Sequence, residues 1–255
     1  ESLRKSPKVI SPEIIGPFIL VTCLFALWGF ANDITNPLVK AFKEIFLISN
    51  AQSSLVQTAF YGGYATMALP AALFIRKYTY KSGILLGLGL YATGALLFIP
   101  ASLMMKFELF LTALYILTFG LAFLETTANP YILSMGSEKT ATRRLNLAQA
   151  FNPMGSLIGM VVASNFILKK LWISQFRTEQ MAQHPEYATI LPGQVDAKIN
   201  AALEAFRASN PEQHRMNQLA DLMIVRTPYV IIGLVVLAFL FIFAISKLPK
   251  TGSDK

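Results

Sequence analysis

The chain lacks most of what catalytic and secreted proteins rely on. It carries a single cysteine, Cys23, among 255 residues. That excludes a disulfide framework, and Cys23 sits in an apolar segment that implies no redox role. Its only two histidines, His184 and His214, lie far apart in a polar stretch and are read as solvated surface residues. No Cys or His spacing fits a metal, so no metal and no cofactor are expected. Charge is also scarce. Only 14% of residues are charged, against about 25% in soluble domains, which excludes a soluble protein built on one core. No nucleophile stands at a spacing that would pair it with a base, so an enzyme is not expected. Gly62-Gly63 follows no strand and is no phosphate loop.

What the chain has is apolar length. Hydrophobic residues make up 54% of it. They gather in segments from about Pro17 to Val39, Ser53 to Ile75, Ser82 to Ala101, Phe107 to Met135 and Leu145 to Leu168, with a sixth over 227–246. Each is near the roughly 20 residues a membrane helix needs. The expected fold is therefore an all-α membrane protein with six transmembrane helices in the lipid bilayer. The first segment is too long for a cleavable signal and has no small-residue cleavage pattern behind it. The expected division is a tail at 1–16, five spans within 17–168, a loop at 169–226, the sixth span, and a tail at 247–255. The net charge of +8 is assigned to Lys and Arg flanking the spans, not to nucleic acid.

The same charges predict the orientation. Arg4, Lys5, Lys8, Arg76, Lys77, Lys81, Lys139, Arg143, Arg144, Lys247, Lys250 and Lys255 would lie on one side. Only Lys40, Lys43 and Lys106 lie in the short loops opposite. The positive-inside rule then makes both termini cytoplasmic. The loop 169–226 would be extracytoplasmic. Within it, Val195, Ile199, Leu203 and Phe206 recur at helical spacing, as do Met216, Leu219 and Met223, predicting two short amphipathic helices.

Polar residues inside the spans mark a candidate cavity. Glu125 sits in the fourth span, where a carboxylate costs roughly 2.5–3.5 kcal/mol at a helix centre, so it is expected to face a protein interior or water. Asn129 lies one turn on, sharing its face, and Pro130 then removes a backbone donor. Trp28, Asn32 and Asn36 repeat every four residues in the first span, with Asp33 beside them. Gln57, Tyr61 and Tyr64 share a face in the second. Asn146, Gln149 and Asn152 follow at intervals of three in the fifth, with Phe151 adjacent. Amides and carboxylates offer the donors and acceptors that sugar hydroxyls need, and aromatic rings cover a pyranose face. The alternative is that such residues only bond helices together. Small residues at Gly83/Gly87 and Gly155/Gly159/Ala163 predict close helix packing.

The first and fourth spans also match each other. Ala31-Asn32-Asp33-Ile34-Thr35-Asn36-Pro37 aligns with Leu124-Glu125-Thr126-Thr127-Ala128-Asn129-Pro130. Each opens a set of three spans, and the sets run in opposite directions, giving two inverted three-helix repeats. Polar, proline-interrupted segments at matching places in inverted repeats point to a transporter site.

Four runs carry a resemblance: Leu27-Trp28-Gly29-Phe30-Ala31-Asn32, Ala59-Phe60-Tyr61-Gly62-Gly63-Tyr64, Leu124 to Pro130, and Arg144-Leu145-Asn146-Leu147-Ala148-Gln149-Ala150-Phe151-Asn152. Together they resemble the fucose permease family of the major facilitator superfamily, over the N-terminal six-helix half of its fold. The resemblance implies a multi-pass protein of the bacterial inner membrane that couples a monosaccharide to protons by alternating access. Glu125 would match the family's substrate-binding, proton-linked glutamate, and Gln149 and Asn152 its sugar-contacting amides. Two departures follow. The family's other acid falls at Asn36, which cannot titrate, leaving Asp33 as a candidate substitute. The family has twelve helices, so a second six-helix half is expected from a longer chain, a separate chain or a homodimer. A non-transporting sugar-binding or assembly module and an uncoupled exchanger stay open.

Overall fold

The computed structural model describes residues 8–249, so Arg4, Lys5, Lys250 and Lys255 of the expected tails lie outside the described residues. Among the described residues, six helical stretches are long and apolar enough to cross a membrane. The first is broken: α1 (Ile15–Thr35) stops before Asn36-Pro37, and α2 (Leu38–Phe46) resumes beyond them. Pro37 lacks the N–H that would continue the ladder. The second span is α3 (Asn50–Lys77), which opens on a capping box between Ser49 and Gln52. The third is α4 (Tyr80–Leu96) followed by α5 (Phe98–Met104). The fourth is α6 (Phe107–Ser134), which runs unbroken through Pro130.

The fifth span is jointed. It consists of α7 (Ala141–Gln149), α8 (Phe151–Val162) and a π-helical turn at Ala163–Ile167. Beyond it come α9 (Trp172–Gln183) and α10 (Pro192–Ser209). Val195, Ile199 and Leu203 form the buried stripe of α10, as their spacing predicts, and Phe206 packs on Trp172 and Phe176.

The sixth span departs from expectation. The second amphipathic helix of the loop is not separate. It is the first part of α11 (Pro211–Ile245), a single helix of 35 residues. At 1.5 Å per residue this is about 52 Å long, well beyond a hydrocarbon core of roughly 30 Å. Its buried face is also different. Met216 and Met223 are exposed, whereas His214, Asp221, Leu222 and Val225 are buried. His214, expected to be solvated, stands edge-on to Trp172. Asp221 is the reason α9 docks there: its carboxylate accepts from the backbone N–H groups of Trp172 (2.6 Å) and Ile173 (3.1 Å). Those are first-turn donors that a helix cannot satisfy itself.

Packing repeats the inverted pattern read in the sequence. α1 packs along α8, and α6 packs along α3, so the opening helix of each repeat lies on the middle helix of the other. α4 and α11, the third members, lie side by side. Small residues make these approaches. A Cβ on Gly155 would collide with the Ala26 carbonyl, and one on Gly29 with the Asn152 carbonyl. Two ends are tied by basic residues. Lys81 donates to the carbonyls of Ala244 (2.7 Å) and Ser246 (2.9 Å) at the end of α11. Arg144, counted above as a loop charge, is wholly buried. It donates to the carbonyls of Ile132, Leu133 and Ser137 and to Thr140 Oγ1 (2.7 Å), capping α6.

Candidate functional site

Three helices meet at the candidate cavity. Trp28 on α1 and Glu125 on α6 face one another across a crevice also lined by Leu24, Phe25, Leu124 and Ala128. Both are half-buried. Glu125 has no ion-pair partner among the described residues. One turn along, the Asn129 amide donates to the Glu125 backbone carbonyl (3.0 Å). Its Oδ1 accepts from Gln149 Nε2 (3.1 Å), which links α6 to the end of α7. Pro130 leaves the Thr126 carbonyl without its usual helical donor. Asn152, at the start of α8, donates to the Phe25 carbonyl (3.4 Å) on α1. Ser156 does the same to Gly29 (3.4 Å).

Trp28, Glu125, Asn129, Gln149 and Asn152 thus form one constellation across α1, α6 and the α7–α8 joint. Asn32 lies a turn beyond Trp28 and is half-buried. The other candidates spread out along an open face. Gln57, Tyr61, Asn146 and Phe151 are exposed, with Tyr61 showing 53% of its surface. The crevice between Trp28 and Glu125 has a volume of only about 10 Å³, room for about one water. A ligand the size of a sugar does not fit inside this crevice.

Tyr64 was read on the same face as Gln57 and Tyr61 but not as a site residue. Its hydroxyl is buried with no well-formed hydrogen bond among the described residues. The phenol stands beside the Trp28 indole and within electrostatic reach of Glu125. Helical spacing places Tyr64 on the same face as Tyr61, so residue order alone does not separate the two; the packing of neighbouring helices buries one and leaves the other open.

Asn36 and Asp33 are placed differently. Asn36 is exposed, and its amide reaches Asp33 Oδ1 at 3.5 Å. Asn36 also lines a second polar cavity of about 370 Å³, on the side of the long loop, with Lys40, Lys43, Glu44, Asn50 and Asn200. Arg177 of α9 organises that region. It pairs with Glu44 of α2 (3.2 Å) and with Asp196 of α10. Burial pushes the Asp196 carboxyl up, but the bond and charge of Arg177 outweigh it and hold the group below its ordinary range. These three residues are 133 and 19 positions apart, so no sequence spacing could have grouped them.

Comparison with known proteins agrees with this architecture. The profile of the Major Facilitator Superfamily matches residues 21–176. The chain is 50% identical over 248 residues to the L-fucose-proton symporter of Haemophilus influenzae, covering 97% of this chain and 53% of that protein. It is 32% identical over 235 residues to a glucose/galactose transporter of Brucella abortus, covering 92% of this chain and 47% of that one. A crystal structure of a variant of the Escherichia coli fucose:proton symporter superposes with a TM-score of 0.71 at 35% identity, over 94% of this chain and 51% of that one. The chain spans about half the length of the curated relatives it matches.

Proposed function

The chain belongs to the major facilitator superfamily, within its fucose permease family of transporters, and from that premise we propose that it is the N-terminal half of a proton-coupled monosaccharide symporter. One observation carries the reading: an intramembrane carboxylate without an ion-pair partner among the described residues, Glu125, framed by Trp28, Asn129, Gln149 and Asn152 on a face left open. Fucose or a related monosaccharide would lie against that face. A second six-helix half, whether a continuation of this chain, a separate chain or a second copy, would cover it. Gln149 and Asn152 would bond hydroxyls, Trp28 and Phe151 would cover apolar ring edges, and Gln57, Tyr61, Asn32 and Asn146 would line the approach.

Glu125 would carry the proton. Protonated, it can donate to a sugar hydroxyl; ionised, it can only accept. Alternating access would then expose the loaded site to either side by movement of one half against the other. Both termini would be cytoplasmic, in a bacterial inner membrane, with α9 and α10 outside. Asn36 favours a second reading. It lines the loop-side cavity where an acid is expected, so exchange without proton-driven accumulation is the outcome if Asp33 does not compensate. The test is uptake of labelled fucose into vesicles carrying this chain with a complementary half, with and without an imposed pH gradient. Saturable uptake supports the reading; sugar binding without flux indicates a binding module and would sink it.

A further inference from the structure

A broad, mostly apolar groove lies elsewhere, between α1, α8 and α11, with a volume of about 580 Å³. Phe30, Ile158, Phe166, Thr227 and Ile231 line it, and Lys170 is its one charged lining residue. Ile158, Phe166 and Ile231 are each more than half exposed. At about 100° per residue, Ala26 and Phe30 stand on the far side of α1 from Trp28, Asn32 and Asn36. Ile158 likewise stands about 120° round α8 from Asn152. The groove therefore opens away from the polar face that the complementary half would cover, and toward lipid.

Its polar end is specific. No carboxylate pairs with Lys170 among the described residues, and its ammonium lies 5.3 Å from the Phe166 ring centre. Phe166 belongs to the π-helical turn Ala163–Ile167, a distortion often found at functional sites. The Thr227 hydroxyl is already spent on the Met223 carbonyl (2.8 Å), so Lys170 alone offers free charge. From Gly155 to Lys170 the wall runs about 22 Å at 1.5 Å per residue. One leaflet of hydrocarbon is about 15 Å deep, half the usual core. An apolar trough long enough to span one leaflet, ending in a cation without a carboxylate partner among the described residues, matches one lipid molecule.

We propose that this groove binds a phospholipid from the leaflet on the side of α9 and α10, with an acyl chain along Phe30, Ile158 and Ile231 and an anionic headgroup on Lys170. The headgroup preference is for phosphatidylglycerol over phosphatidylcholine, because the former brings a net negative charge to Lys170, whereas the phosphate of the latter is already neutralised by its own choline.

Native mass spectrometry of the purified chain, titrated with either lipid bearing the same acyl chains, reads the preference. Phosphatidylglycerol should be retained, and Lys170→Ala should lower its occupancy relative to phosphatidylcholine about fivefold, the usual worth of one lysine near a lipid surface. Among the described residues Lys170 makes no ion pair, and its contact is with the exposed Phe166 ring, so this variant should keep its thermal transition. In mixed vesicles, phosphatidylglycerol with a diazirine in its acyl chain should label peptides containing Ile158, Phe166 and Ile231. Ile158→Trp should remove that label. Label spread evenly onto Leu69 and Leu73 of α3, or an unchanged lipid ratio in Lys170→Ala, overturns the proposal. So does a dimer that Ile158→Trp dissociates, because the groove would then belong to a second copy.

Discussion

On the open face, one carboxylate, Glu125, stands among amides with no ion-pair partner among the described residues. On the loop-side shelf, two carboxylates, Glu44 and Asp196, share the guanidinium of Arg177. Both regions are polar, and both touch the first span. The difference lies in what each charge is committed to. The Asp196 carboxylate is held ionised by Arg177 and serves structure. An unpaired one in a low-dielectric setting is free to change protonation, and its surrounding amides stay available to a ligand. The shelf thus fastens α9 and α10 over α2, while Glu125 on the open face is tied to no such counter-charge among the described residues.

Substitutions can break this division. The largest effect should come on the open face. Removing one partner from a site built for hydroxyls leaves the other unpaired, worth about 1–3 kcal/mol. Gln149→Ala or Asn152→Ala should therefore weaken fucose binding about tenfold or more, measured by titration calorimetry on the complemented protein. Arg177→Ala should leave that affinity within about twofold but lower stability by about 1–3 kcal/mol, because Glu44, with 13% of its side chain exposed, loses its counter-charge. A thermal shift with unchanged sugar affinity is the expected signature; loss of both would mean the two regions are one site.

A smaller effect should follow exchange of the first-span acid. Asn36→Asp should raise gradient-driven uptake severalfold over the given sequence, and Asp33→Asn should remove whatever coupling remains. Strong accumulation that survives Asp33→Asn would show that neither position matters. The smallest effect is a pH dependence on the shelf. The Asp196 carboxyl is held low in the folded state, so its contribution is present above the unfolded value of about 3.9 and fades as pH falls below it. The group is partly exposed, so the loss should be less than about 1 kcal/mol. Thermal melts from neutral pH downward should show it, and Arg177→Ala should flatten it.

Much of the fold could be read from residue order. Six spans follow from hydropathy, and α6 was placed to within a residue at its far end. The start of α11 was not legible, because its first turns carry Glu212, Gln213, Arg215 and Asn217 and read as loop. Periodicity found the helix there but picked the wrong face, since burial of His214 and Asp221 depends on α9 arriving from elsewhere. Arg144 shows the same limit. Its charge suggested solvent, and only the fold brings four acceptors around it. In the candidate site, the polar residues within each span could be grouped by helical spacing. The sharing of Asn129 between Glu125 and Gln149, and the buried Tyr64 hydroxyl, depend on how helices meet.

The backbone contact of α1 with α8 at Gly29 and Gly155 has a consequence for motion. With no side chain between them, the two helices have no layer that could shear or repack. Trp28 and Asn152 are therefore borne on a single stiff plate. Under the proposed alternating access, the cavity would open and shut by tilting that plate as a whole, so the spacing between these two residues should stay constant while the distance to the opposite wall changes.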